Sequence, residues 1–460
     1  MGGLNTSLLI GMQALDVNQA ALDATSNNIA NSNTAGYTEE VPDITENAET
    51  EVDGQVTGGG VTLNGLQSIR DELLNLQIQQ QTSSQSSIDE QSSVLSQIQS
   101  YFSTSSGDDL ATEFTAFSSA LTGLSASPSS TSAQQNVIST GQSLAQSFNS
   151  TADALTTAQS EADSTVSQTV QQINSLTTQI AQLNGEVNQL TGSGQDGGTI
   201  EDQRDELVQQ LSALTDVSIS TSTDGETITT GNGTALVVGS TSYALQTVTG
   251  SNGFQQVEDS SGNNITSDIT GGTLGGAITV RDTTLAGFLS SLNTLASQFG
   301  TAFNAAQAEG YNSNGTAGTD FFTVPANTAT AAAGISVAIT DPSDIAASSD
   351  GTSGSNGNVA NLSATLTSAL PSGETAPNAY AALVFQVGNA ASTATSESTA
   401  IGQHLLSLTD QQSSVSGVSV DDETTNLIRY QTAYEAAARI VSTIQQLSTV
   451  TLDMGTSGGY

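Results

Sequence analysis

Leu8, Leu15, Leu22 and Ile29 recur every seven residues, which places the first apolar positions of the chain on one line of a helix. Ala14, Ala21 and Ala24 lie beside that line, but the neighbouring seam positions Asn18 and Thr25 are polar, so half a coiled-coil seam is present. The pattern stops at NNIANSNTAGYT, residues 27–38, which reads as a helix end and a tight turn. Amides such as those of Asn28 and Asn31 can satisfy the last carbonyls, Gly36 can turn left-handed and Tyr37 can anchor the turn. Residues 39–65 are then extended and Gly-rich.

Helical spacing returns over 66–102 through Leu66, Ile69, Leu73 and Leu76, and later Leu95 and Ile98. The strongest periodicity lies at 134–190, where Val166, Thr169, Ile173, Leu176, Ile180, Leu183, Val187 and Leu190 step by three and four in turn. It predicts one helix of about 57 residues, roughly 85 Å long at about 1.5 Å per residue. Further helices are predicted over 284–308, along Tyr380, Val384, Val387, Ala391, Ile401, Leu405 and Leu408, and along Val420, Leu427, Tyr430, Tyr434, Ala437, Val441 and Ile444. Residues 216–280 differ in texture: Val217, Ile219 and Thr221 alternate, Asp224-Gly225 offers a hairpin turn, and TALVVGSTSYALQTV reads as paired strands. Residues 309–357 are rich in small and polar residues with strand-like islands.

The pattern predicts an α+β fold, mainly α, with a long helical bundle and a coiled coil of N- and C-terminal segments carrying a central β-rich outer domain. The expected division is 1–60 with 415–460 as paired terminal helices; 61–214, 284–310 and 358–414 as a helical bundle; and 215–283 with 311–357 as the outer domain. A helix with a partial stripe is marginal alone, because helix nucleation is costly and stability comes from a packed face. The first and last helices are therefore expected to pair, with other copies covering their remaining apolar surface. Leu8, Leu15, Leu22, Ile29, Leu427, Tyr430, Tyr434, Val441 and Ile444 are the candidate assembly residues, together with Asn28, Asn31, Gly36 and Tyr37 of the turn.

Composition narrows the function. The 460 residues include 45 acids and only five bases, all of them Arg, for a net charge of −40. Little is present to neutralise phosphates, which argues against nucleic acid or an anionic membrane surface as partner. There is no Cys, which excludes disulfides and thiolate chemistry. No apolar run reaches the roughly 18 residues of a membrane span, so membrane insertion is not expected. MGGLNTSLLIGMQALDV has no basic start and its apolar positions are interrupted, unlike a cleaved signal peptide.

Candidate chemistry is sparse, and neither a cofactor, a metal nor an enzyme activity is expected. GSGQDG at 192–197 matches G-x-G-x-x-G but follows a helix instead of a strand, so a linker explains it better than a dinucleotide site. His404, the one imidazole, has no second His or Cys to join it at a metal and reads as a helix-surface residue. Asp421, Asp422 and Glu423 suit the start of the last helix, capped by Ser419 or Asp421, better than a metal cluster. EDQRDEL at 201–207, taken alone, reads as a solvated, salt-bridged first helical turn around Arg204.

NNIANSNTAGYT resembles the N-terminal signature shared by rod, hook and hook-associated proteins of the bacterial flagellum. DQRDELVQQLSALTDVSIS at 202–220, TLGGAITVRD with the run to AEGYNSNGTAGTDFF at 273–322, and VSGVSVDDETTNLIRYQTAYEAAARIVSTIQQL at 415–447 narrow the resemblance to the hook-associated protein 1 family. It implies a structural subunit of the hook–filament junction, extracellular, whose terminal helices self-associate as the inner layer of a hollow tubular lattice. It further implies export by the flagellar type III apparatus without a cleaved signal peptide, a dedicated export chaperone, and hook protein and hook-associated protein 3 as neighbours. The chain departs from the pattern in carrying Glu39 and Glu40 where an Arg is expected, and in having only 323–357 where many members carry a larger outer domain. Another axial protein of hook, rod or junction, or a flagellar frame carrying a surface binding module, is the alternative. The long 134–190 helix and DQRDEL weigh against the former, and the lack of Trp against an aromatic-lined groove.

Overall fold

The computed structural model describes residues 2–34, 36–52, 55–102, 109–193, 197–222 and 225–456. Helix α1 (Gly2–Asn31) runs antiparallel to the last helix, α11 (Val420–Thr456). Between them the chain first makes an extended arm. Strand β1 (Glu40–Glu46) pairs antiparallel with β4 (Val61–Ser68), and the short β2 (Thr50–Val52) and β3 (Gln55–Thr57) pair at its tip. Leu66 and Ile69, expected on a helix, belong instead to β4 and the link after it, because α2 (Glu72–Tyr101) starts only where Asp71 caps the Leu74 amide.

Helix α4 (Thr131–Gly192) has 62 residues and spans roughly 93 Å at about 1.5 Å per residue. It is stable at that length because it is packed on both sides of its span. Leu144, Phe148 and Leu155 enter one apolar core, and Val166, Ile173 and Ile180 enter a second. The first core is the bundle, formed with the C-terminal half of α2, with α3 (Leu110–Ala126), α7 (Ala286–Ala308), α9 (Val359–Thr367) and α10 (Ala376–Ser416). The second joins α4 to α5 (Gly198–Leu214), to the antiparallel sheet β5 (Val217–Ser222), β6 (Gly225–Thr230), β7 (Ala235–Val238) and β8 (Thr241–Ser242), to the hairpin β9 (Gln246–Thr249) and β10 (Gln255–Glu258), and to α6 (Gly272–Thr279). The β texture therefore ends at residue 272, and a π turn at Val280–Leu285 carries α6 into α7. Of the Asp224-Gly225 turn, Gly225 begins β6 with φ +103°, and Asp224 lies outside the described residues, as do 194–196 of GSGQDG.

Residues 215–283 and 311–357, expected together in one outer domain, contribute to different cores apart from Val280, which joins the bundle. Phe321, Phe322, Ala332, Ile335 and Ile345 of the second segment belong to the bundle core. The reason is aromatic packing. Phe114, Phe117, Phe148, Phe299, Phe303, Phe321 and Phe322 interlock with ring centroids 4.8–6.4 Å apart, mostly tilted or edge-to-face. Helix amides then bind the irregular backbone. Asn304 Oδ1 accepts from the Phe321 and Phe322 amides at 3.0 and 2.8 Å, and Asn293 joins the Ala329 carbonyl to the Ala332 amide. Strands β11 (Phe322–Thr323) and β12 (Ser336–Val337) and the one-turn α8 (Ala331–Gly334) are the only regular elements described there besides two 3-10 turns.

Candidate assembly site

The end of α1 is locked by a hydrogen-bonded clasp. Asn28, 1% exposed, donates from Nδ2 to the Glu40 carbonyl (2.9 Å), while its Oδ1 accepts from the Glu40 amide (3.0 Å) and the Tyr37 hydroxyl (2.8 Å). One side chain so replaces a strand neighbour for β1, and the turn between is closed by Gly36 at φ +78°. The amide of Asn31 does satisfy a late carbonyl, that of Asn27 (3.1 Å), and Ser32 serves Ile29. Asn28 has a different task from helix termination, since its contacts reach across to the arm.

Beyond the clasp the arm is tied to DQRDEL. Asp202 accepts from the Thr38 amide (3.2 Å), the Thr38 hydroxyl (2.7 Å) and Arg70 Nη2 (2.6 Å), and Arg70 Nη1 also meets Glu201 (2.9 Å) and Asp205 (3.4 Å). Arg204 turns the other way, to Glu226 on β6 (2.9 Å) and to the Oδ1 of Asn184 on α4 (3.5 Å). Asn184, fully buried, donates to the carbonyls of Glu226 and Gly239 at 2.9 Å each. The solvated-turn reading of 201–207 is thus corrected: Asp202 and Arg204 are 8% and 7% exposed. Burial raises the Asp205 carboxyl despite Arg70 and Arg204, and pushes Glu226 up to about 7 despite Arg204. The terminal arm, α5, α4 and the sheet meet at this network. Periodicity gave no sign of it; the signal was four charges in five residues, Asp202 to Glu206, in an otherwise charge-poor chain.

A second charged contact sits where α10 passes into α11. The Glu39 amide donates to the Ser416 carbonyl (3.0 Å), which brings the Glu39 carboxyl close to Glu423 at the start of α11. Burial and then Glu423 raise the Glu39 carboxyl. Ser419 caps α11 through the Asp422 amide, as its sequence suggests, but Glu423 is buried against the arm at 2% exposure instead of solvated. A third contact, absent from the candidates, is Arg281 in the π turn. At 1% exposure it binds Asp163 (2.6 Å), Asp282 (2.7 Å) and the Gln255 carbonyl (2.9 Å), joining α4 to β10.

Of the predicted seam residues, Leu8, Leu15, Leu22 and Ile29 are half-buried, as are Leu427, Tyr430, Tyr434 and Val441, while Ile444 is buried. The buried line of α1 is instead Gly11, Val17, Ala21, Ala24, Thr25 and Asn28; Gly11 lets α11 approach closely, since a Cβ there would stand 2.8 Å from Val441, while Asn28 serves the arm. His404 is exposed on α10. Among the described residues, no group of three His, Cys, Asp or Glu side chains is placed to hold a metal, and no helix is long and apolar enough to cross a membrane.

Three family models match in chain order: "Flagella basal body rod protein" over residues 8–38, "Flagellar hook-associated protein FlgK helical domain" over 95–322, and "Flagellar basal body rod FlgEFG protein C-terminal" over 411–454. Relatives named flagellar hook-associated protein 1 align along nearly all of the chain. That of Escherichia coli K12 is 28% identical over 94% of this chain and 96% of its own, and that of Bacillus subtilis 168 is 29% identical over 96% and 97%. The Salmonella typhimurium protein is 27% identical over 95% and 97%. The chain belongs to the flagellar hook-associated protein 1 family. Members of that family are structural flagellar proteins. The flagellar hook junction protein FlgK from Burkholderia pseudomallei shares the fold, with a TM-score of 0.68 and 20% identity over 74% of this chain and all of that one. In hook-associated protein 1 terms, the rod-type matches fall on the α1 clasp and α11, and the helical-domain match runs from the end of α2 through the sheet to Phe322.

Proposed function

We propose that this chain is the subunit that joins hook to filament, and that the α1–α11 pair lines the inside of a hollow tube built from copies of the chain. The observation that carries this reading is the state of the pair. Small residues lie on its buried side, yet Leu9 (55%), Met12 (51%), Ile440 (54%), Leu447 (51%), Val450 (54%) and Met454 (71%) stay exposed. Two helices that leave so much apolar surface uncovered are complete only against further helices. The clasp and the Asp202 network would then transmit load from this layer to α5 and the long helix α4, with the sheet domain outside. In this division 311–357 goes with the bundle, and 215–271 alone forms the outer domain. Hook protein on one side and hook-associated protein 3 on the other would be its neighbours, and delivery would use the type III export apparatus with a chaperone on the C-terminal segment.

The test is complementation of a flagellated strain deleted for its own hook-associated protein 1. Filaments restored by the full chain, and lost when residues 1–40 and 421–460 are removed, support the reading. Equal function of the truncated chain would overturn it.

A further inference from the structure

The five arginines divide by environment. Arg70, Arg204 and Arg281 are consumed in ion pairs within the chain, with side chains 14%, 8% and 1% exposed. Arg429 and Arg439 are exposed on α11, and among the described residues neither forms an ion pair with a carboxylate of its own chain. Arg429 rests on the Tyr430 ring and hydroxyl, a neutral partner that leaves its charge uncompensated. In a chain of net charge −40 these two free cations are scarce, and they share the outward face of α11 with Ile440 and Leu447.

The outward face of α1 carries the complementary pattern at the same heights. A Cβ on Gly11 would lie 2.8 Å from Val441 Cγ2, which fixes the antiparallel register. Asp23 lies as many residues beyond Gly11 as Arg429 lies before Val441, so the two stand level. Met12 stands level with Ile440, and Asp16 within about three residues of Arg439, roughly 4.5 Å at about 1.5 Å per residue. Asp16, Asp23, Leu9 and Met12 are all exposed. Ile440 also borders Gly11 of its own chain, 4.0 Å from a Cβ placed there, but among the described residues neither Arg429 nor Arg439 is paired with Asp16 or Asp23, so the charge match is not made inside a single chain.

We infer that α11 of one copy docks side by side on α1 of the next, with Arg429 against Asp23, Arg439 against Asp16, and Ile440 over Met12. This rests on the self-association proposed above and adds its register. An apolar contact sets the affinity, while the charges select the partner face and the height, since a shift of one turn would strand both arginines. With every copy strongly anionic, a surface carrying the free cations is the one that meets the α1 carboxylates with attraction instead of neutrality or like-charge repulsion.

The absence of Cys gives a clean background for a cross-linking test. Full-length Asp23→Cys chains are mixed with full-length Arg429→Cys chains under mild oxidation, and a parallel mixture pairs Asp23→Cys with Met454→Cys, which sits more than 30 Å along the helix by about 1.5 Å per residue. The expected result is a mixed dimer of Asp23→Cys with Arg429→Cys at least tenfold above that of the Met454→Cys mixture. Equal yields, or preference for Met454→Cys, would overturn the register while leaving self-association standing. No cross-link in either mixture would overturn both. As a check that the charges matter, Asp23→Arg should abolish association of uncross-linked copies, and adding Arg429→Asp to the same chain should restore it; an unrescued double variant that keeps the monomer's helical signal would refute the pairing.

Discussion

Replacing Asp202 with Ala should loosen the terminal arm from the body of the molecule. Asp202 is 8% exposed and accepts three hydrogen bonds, two from Thr38 at 3.2 and 2.7 Å and one from Arg70 at 2.6 Å. Stranding one partner of a buried ion pair costs about 3–5 kcal/mol in general, but Arg70 retains Glu201 and Asp205, which reduces that part to about 1–2 kcal/mol. The Thr38 bonds add about 1 kcal/mol each, for a total near 3 kcal/mol. The loss is local, because Asn28 still holds Glu40. It should therefore appear as a rise of about a hundredfold in amide exchange for Thr38 to Val41, with little change in the exchange of the α4 core. Thr38→Val alone should reproduce about a third of the effect and add almost nothing to Asp202→Ala. Exchange at these amides within threefold of the wild type, or equal loss across α4, would refute the network as the link between the arm and α5.

Three other outcomes follow from named contacts. A Cβ at Gly141 would stand 2.7 Å from the buried Phe321 ring, so Gly141→Ala should cost about 1–3 kcal/mol in denaturant unfolding, and pairing it with Phe321→Leu should recover part of the loss. Glu226 rises in the folded chain from its ordinary 4.5 to about 7, so it binds more protons folded than unfolded; its stabilising contribution is full below about 4.5 and is lost as pH rises through about 7. Glu226→Gln should flatten that decline in thermal unfolding between pH 5 and about 8, and an unchanged slope would exclude the Glu226 carboxyl as its source. Glu39 is likewise raised, by burial and by Glu423, so it too weakens the fold as pH rises; Glu39→Arg should form an ion pair with Glu423 and raise the neutral-pH melting temperature by a few degrees, and a lower one would count against the carboxyl pair.

How much of this could be read from the sequence depended on what set each feature. The long helix α4 was legible because its apolar stripe repeats without a break from Val137 to Val187, and repetition is what a periodic pattern reports. The start of α2 was misplaced because Leu66 and Ile69 have helical spacing by chance, while the Asp71 cap that decides the matter is a single side chain. Residues 311–357 join a different neighbour from the one expected because their packing is decided by Phe321 and Phe322 meeting rings from two helices far apart in sequence, α3 and α7. The seven-residue line of Leu8, Leu15, Leu22 and Ile29 is half-buried, and Leu9 and Met12, off that line, are the large apolar residues of α1 left exposed. The Asn28 clasp lay within the quoted signature, yet its partner Glu40 could not be inferred from an Asn-rich stretch that reads equally as a helix stop.

The placement of charge gives the chain a consistent logic. Ionic contacts within a protein cost desolvation and contribute mainly where geometry is fixed. Here the three buried arginines sit at three joints: Arg70 where the arm meets α5, Arg204 where α5 meets the sheet, and Arg281 where α4 meets β10. None lies in a simple helix–helix contact, where apolar stripes already define the packing. At a joint between units of different texture, apolar packing alone would tolerate sliding, and a planar guanidinium held by two or three acceptors does not. The same reasoning applies to the two outward arginines, since a contact between smooth helices of different copies is the place where sliding would otherwise be easiest. A charge-poor surface of Ser, Thr, Gln and Asn elsewhere keeps those few pairs from having competitors, so that five cations are enough to fix both the shape of one subunit and the register of its neighbour.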